Sequence, residues 1–224
     1  MRIFLWFYEW TLFDAIHRGQ HKRGVWDNPV EVSEERGVID APSMRLEMSA
    51  GVDSADLRLT VTNKSDDEWP ELAAIIPCFN PGPLENRNPL FSKGDTWFYG
   101  STGLEPLERR DIHFNEKFRK KVDEQADEDG RYVWSSKWPK SEVDANPKSG
   151  LIVRQSTDGQ WVTGIAWEDF LSCQGNNPWL CMHQSVRVGH LKPGQTKTIR
   201  GKIYLFRGSK EELLRRFRND FNAR

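Results

Sequence analysis

Hydrophobic and polar residues alternate from Met44 onward. Met44, Leu46, Met48 and Ala50 interleave with Arg45, Glu47 and Ser49, and after Asp53-Ser54 the residues Leu57, Leu59 and Val61 interleave with Arg58, Thr60 and Thr62. A period of two with one polar face predicts two half-buried antiparallel strands joined by a turn containing Gly51. Asn63-Lys64-Ser65-Asp66-Asp67 ends the second strand; Asn63-Lys64-Ser65 has the form of a glycosylation acceptor, but its composition is that of a plain turn. The apolar run 72–76, bounded by prolines, predicts a strand buried on both faces. Further strands are predicted at 96–99, 150–154, 161–168, 185–188 and 196–206. In the last of these Ile199, Ile203 and Leu205 share a face, and Gly201 on that face marks a bulge or close packing.

The period changes after Gly208. Ser209-Lys210-Glu211-Glu212 is a capping box, because the Ser hydroxyl and the Glu side chain can satisfy each other's backbone donors. A helix over 209–221 follows, with Leu213, Leu214, Phe217 and Phe221 as its apolar stripe and Arg215, Arg216 and Arg218 toward its C-terminal end, where the dipole favours cations. Residues 1–35 open with an apolar, aromatic stretch that Glu9 and Asp14 interrupt. No small-residue cleavage site follows and the stretch is too short to span a bilayer, so it predicts a segment packed on the core rather than a membrane insertion. Residues 116–149 are charged and poor in aliphatics, which predicts a long loop or lid. Trp134 and Trp138 within it either cover a cleft or dock the loop onto the sandwich. The pattern as a whole predicts a single mainly β domain, an antiparallel β-sandwich closed by a C-terminal α-helix.

Composition narrows the picture. The 224 residues suffice for one substantial core, and 32 basic against 33 acidic residues leave no field to attract nucleic acid. Three cysteines (Cys78, Cys173 and Cys181) with no CxxC spacing predict reduced thiols, as in a cytoplasmic protein, rather than a disulfide framework. Ten tryptophans stand out in a chain whose mean hydropathy is −0.71, so some of them are expected to line a surface or cleft.

Three segments carry candidate chemistry. In Ile75-Ile76-Pro77-Cys78-Phe79-Asn80-Pro81-Gly82-Pro83 a buried strand runs into a turn, and Cys78, with no cationic neighbour in sequence, reads as an inert buried thiol. If 109–115 is extended, Asp111, His113 and Asn115 share a face, where a carboxylate could orient an imidazole for proton transfer or hydroxyl binding; the alternative is a structural histidine. The densest segment, 167–183, contains Trp167, Glu168, Asp169, Gln174, Asn176, Asn177, Trp179, Cys181 and His183. Ring faces beside carboxamides and carboxylates suit a sugar, whose C–H face stacks while its hydroxyls are hydrogen-bonded. Cys181 and His183, together with His113, could also ligate a soft or borderline metal.

On these segments, residues 36–221 resemble an uncharacterised bacterial β-sandwich family with hallmark segments similar to Ile76-Pro77-Cys78-Phe79-Asn80, Ile112-His113-Phe114-Asn115, Trp167-Glu168 and Asn177-Pro178-Trp179-Leu180-Cys181-Met182-His183. More distantly, paired strands followed by a Pro-x-Phe-Asn turn resemble the galactose-mutarotase-like sandwiches, which include sugar epimerases and domains of polysaccharide lyases. The resemblance implies a mutarotase-like fold and, by analogy, a carboxylate base with histidine acids. Where the mutarotase motif carries a histidine before its aromatic-Phe-Asn turn, this chain has Pro77-Cys78.

The resulting expectation is a carbohydrate-active domain, an epimerase, mutarotase or lyase, with Glu168 as base and His183 or His113 as acid. Trp167 and Trp179 would stack on the sugar, with Asn176, Asn177, Asp111, Asn115, Trp134 and Trp138 completing the binding set. Two other readings stand beside it: a non-catalytic carbohydrate-binding module, and a structural or protein-binding sandwich. Convergence of His113, Glu168 and His183 on one cavity separates the enzyme from the rest. The partner expected is a saccharide or sugar-derived small molecule, and no motif specifies a cofactor or an oligomeric state.

Overall fold

The computed structural model describes residues 3–11, 22–23, 30–80, 88–92, 95–107, 112–124, 147–175 and 180–222. In chain order the elements are β1 (Phe4–Thr11), β2 (Lys22–Arg23), β3 (Val30–Val32), β4 (Arg36–Ala41), β5 (Met44–Ala50), β6 (Ser54–Thr62), β7 (Ala74–Asn80), α1 (Pro89–Ser92), β8 (Thr96–Tyr99), β9 (Leu104–Pro106), β10 (His113–Phe114), α2 (Glu116–Asp123), β11 (Gly150–Gln155), β12 (Trp161–Trp167), β13 (Phe170–Gln174), β14 (Met182–Arg187), β15 (Thr196–Arg207) and α3 (Lys210–Asn222). They form two antiparallel sheets, one of six strands ordered β10-β13-β14-β7-β1-β2 and one of nine ordered β3-β4-β5-β6-β15-β12-β11-β8-β9. The fold is a mainly β sandwich with a C-terminal helix. Among the described residues no helix is long and apolar enough to cross a membrane.

The inner faces of the sheets meet in one core that joins Leu46, Leu59, Ile152, Ile165, Trp167 and Ile199 of the larger sheet to Phe7, Ile75, Phe79, Cys173, Met182 and Val186 of the smaller. Strand alternation dictates this, because residues two apart share a face. The long β15 lies between β6 and β12 and pairs with both. Its Gly201 sits opposite Trp167, and a Cβ there would come within 2.5 Å of Trp167 Cε3, so the glycine is what lets the indole lie against the backbone. The outer face of the larger sheet is covered by α3, whose Leu213, Leu214 and Phe217 pack on Leu151, Val153, Val162, Tyr204 and Phe206. Ser209 Oγ accepts from Glu212 N at 3.2 Å, which is half of the expected capping box; the Glu212 carboxylate instead accepts from Arg216.

The N-terminal stretch packs on the core as a strand, and residues 116–149 differ from their sequence expectation. The apolar N-terminal stretch contributes β1, which pairs with β7 inside the smaller sheet. Residues 116–149 do not begin as a loop: Asn115 accepts from Lys117 N at 3.1 Å and caps α2, which buries Phe118 and Val122 against Leu72, Ala74, Ile112, Phe114 and Leu171. Only two apolar positions four apart mark this helix among charged residues, too few for periodicity to reveal it. Trp134 and Trp138 lie outside the described residues.

Candidate functional site

At one end of the smaller sheet the strand ladder aligns three chemically active residues on its outer face. His183 of β14 pairs directly with Cys78 of β7, and Gln174 of β13 pairs with His183. Direct partners in an antiparallel pair point to the same side. The intervening residues Phe79, Met182 and Cys173 belong to the main core, so Cys78, His183 and Gln174 face away from it. Asn80, two residues beyond Cys78, donates from Nδ2 toward Cys78 Sγ at 3.5 Å and Cys181 Sγ at 3.4 Å. The ligating atoms of Cys78, Cys181 and His183 all lie within 4.8 Å of one another. None of the cysteines is in a disulfide.

The cluster is rigidly held. His183 Nδ1 lies 3.0 Å from Gln174 Oε1; a carboxamide oxygen can only accept, so Nδ1 carries the proton and Nε2 is the nitrogen left to meet a sulfur, a cation or a ligand. Just before Cys181, Leu180 adopts a left-handed φ of 62°, which costs a side-chain-bearing residue energy and persists only where its surroundings enforce it. The enforcing contact is visible: Arg154, 2% exposed, reaches from β11 to donate to the Leu180 carbonyl at 2.7 Å while its Nε donates to Thr96 Oγ1 at 2.9 Å. Hydrogen bonding from Cys78, aided by His183 and Asn80, outweighs burial and draws the Cys181 thiol down to about 5. Cys78, Asn80, Gln174 and Cys181 are buried, and His183, half-buried as a residue, turns a buried Nε2 into the same polar group.

Other sequence candidates lie elsewhere. His113 pairs with Cys173, whose own partner is Gln184, so it occupies the inner face, opposite to His183, and stacks on Phe98 with centroids 4.8 Å apart. It cannot complete a metal trio with Cys181 and His183; Cys78, read from sequence as inert, takes that place. Trp167 is 1% exposed in the core with a ring face against Gly201, which leaves no stacking platform for a sugar. Glu168 caps the end of β12, where its carboxylate accepts from Arg200 N at 2.7 Å and Arg200 Nε at 2.9 Å. Asn115 is occupied as the cap of α2 and donates to Phe170 O at 3.0 Å.

Glu168 and Asn115 both line a groove of about 720 Å³ beside α2. Its floor is an ion cluster: Asp169 accepts two bonds from Arg187, at 2.8 and 2.7 Å, and one from Lys197 at 2.6 Å. Burial lowers the Lys197 pKa, against the opposing pull of Asp169. These charges satisfy one another and fix the end of the sheet. Asp111, Asn176, Asn177 and Trp179 lie outside the described residues; the last three fall in the chain joining Gly175 to Leu180.

No protein-family model matches the chain, and no curated protein matches it. Solved structures similar to it include a polysaccharide lyase (TM-score 0.43, 10% identity, 88% of this chain and 26% of that one). They also include the Slr1438 protein of Synechocystis sp. PCC 6803 (TM-score 0.48, 10% identity, 92% of this chain and 78% of that one). A galactose mutarotase-like protein of Lactobacillus casei ATCC 334 is a third (TM-score 0.38, 14% identity, 91% of this chain and 84% of that one). The chain thus spans about a quarter of the polysaccharide lyase.

Proposed function

We propose that the protein binds a saccharide at the end of the smaller sheet where β7 and β13 finish and β14 begins, with His183 as the central contact. The observation that carries this reading is the placement of one half-buried imidazole within a buried set of hydrogen-bonding groups, Gln174 and Asn80, at the end of an outer sheet face whose remaining lining is apolar side chains, the Ser172–Ser185 pair and Arg187. Pre-ordered polar groups of this kind bind hydroxyls without the entropic cost of fixing mobile side chains. The segment between Gly175 and Leu180 supplies Asn176, Asn177 and Trp179 as candidate partners, because both of its ends are tied to this cluster. Binding is preferred to catalysis because Glu168, His113 and His183 do not share a cavity. If turnover of the epimerase, mutarotase or lyase kind occurs, His183 is the proton-transferring group.

The test is a panel of neutral and acidic saccharides, screened by tryptophan fluorescence and confirmed by calorimetry. His183→Ala should weaken binding at least about tenfold, whereas Glu168→Gln should leave it within about twofold. The reverse pattern would move the site to the groove beside α2. A flat response to every saccharide would remove the carbohydrate reading.

A further inference from the structure

We infer that Cys78, Cys181 and His183 form a binding site for one divalent cation of the zinc class. The three donors come from neighbouring positions of one ladder: Cys78 and His183 are direct cross-strand partners, and Cys181 stands two residues before His183. Their ligating atoms already lie within 4.8 Å of one another. Zinc at about 2.3 Å from sulfur and about 2.0 Å from nitrogen holds two sulfurs and one nitrogen about 3.5–3.8 Å apart in tetrahedral geometry, so closure needs side-chain movements of about 1 Å.

The chemistry of the donors selects the ion. Two thiolates and one neutral imidazole are soft to borderline ligands that calcium and magnesium avoid, and their summed charge balances a divalent cation in a buried setting. The surrounding contacts are those a metal site needs. Gln174 fixes the tautomer of His183 with Nε2 as the ligating atom, and Asn80 Nδ2 directs a donor at both sulfurs. Arg154 holds the Leu180 carbonyl and so sets the direction in which the chain enters Cys181. Three protein ligands leave a fourth position on a tetrahedral ion for a water or a ligand oxygen. This inference uses the side chains of the saccharide site but does not depend on a saccharide; were both correct, a sugar oxygen would meet the ion rather than the imidazole.

The experiment is metal analysis of the full chain, purified under reducing conditions, loaded with zinc chloride and dialysed against metal-free buffer. The expected result is about one zinc per chain in the wild type, falling below about a tenth in Cys181→Ser and in His183→Ala. His190→Ala, which removes an exposed histidine paired with Glu68, should keep the full stoichiometry. Cobalt chloride on the wild type gives a second readout that needs no variant: sulfur-to-cobalt charge transfer with visible tetrahedral absorption. A wild type without zinc or a sulfur–cobalt band would overturn the site. So would equal zinc in the Cys181→Ser and His183→Ala variants, or a Cys78–Cys181 disulfide persisting under these conditions. Because no sugar is present, failure here is distinct from failure of the saccharide reading.

Discussion

The two faces of the smaller sheet carry nearly the same residue types at the same end, and they behave differently. Inside are Cys173, His113 and Gln184, cross-strand neighbours among Phe79, Phe98 and Met182. Outside are Cys78, Cys181, His183 and Gln174, with Asn80 beside the sulfurs. On the inner face burial pushes the Cys173 thiol up to about 12, and the imidazole stacks on a phenyl ring. On the outer face neighbouring donors bring the Cys181 thiol down to about 5. Cysteine, histidine and glutamine are thus packing residues on one side of a pleated sheet and potential ligands on the other. What separates them is the company that the alternation imposes, not their identity.

Several measurements would break or sharpen this contrast. The largest effect is expected from Phe79→Ala, which empties part of the inner face and should cost about 3–5 kcal/mol in chemical unfolding while leaving saccharide affinity per folded molecule unchanged. A parallel loss of affinity would mean that the two faces are coupled.

The next effect is in the pH dependence of stability of the zinc-free protein. Cys181 is depressed from its ordinary value of 9.0 to about 5, so the unfolded chain binds more protons between these values. Its contribution is present above pH 9 and is lost as pH falls toward 5. Cys173 is raised to about 12, so its contribution is present below pH 9 and is lost as pH rises beyond it. Unfolding free energies of Cys181→Ala and Cys173→Ala across pH 5–10 should each flatten one limb, by at most about 1.4 kcal/mol per pH unit. Loss of the same limb in both would contradict the assignment of opposite environments. The smallest expected effect is a reference point far from either face: Ser209→Ala removes the α3 cap and should cost about 1 kcal/mol in unfolding with no change in binding.

Much of the sandwich was legible because one-sided strands advertise themselves. β5 runs over the residues whose alternation predicted it, and β15 and α3 follow the patterns at 196–206 and 209–221. The site was less legible. Cys78 acquires its neighbours only through the register of β7 with β14, and Asn80 meets Cys181 across 101 positions of chain, which no local spacing encodes. Trp167 was misread for the opposite reason, since the signal was present. It continues the alternation of Ile165 toward the core, and Gly201 opposite it is the space an indole needs. Its neighbour Glu168 drew attention to chemistry where packing decides. The face shared by Asp111, His113 and Asn115 presupposed an extended chain through Asn115, and the cap of α2 ends it there.

The most direct test of the account follows the side-chain resonances of a labelled sample during titration with the best saccharide from the panel. The imidazole of His183 and the side-chain amides of Gln174 and Asn80 should shift together with one dissociation constant, while the His113 imidazole stays still. Shifts centred instead on Glu168, Asp169 and Lys197, or on His113, would contradict the placement of the site on the outer face of the smaller sheet.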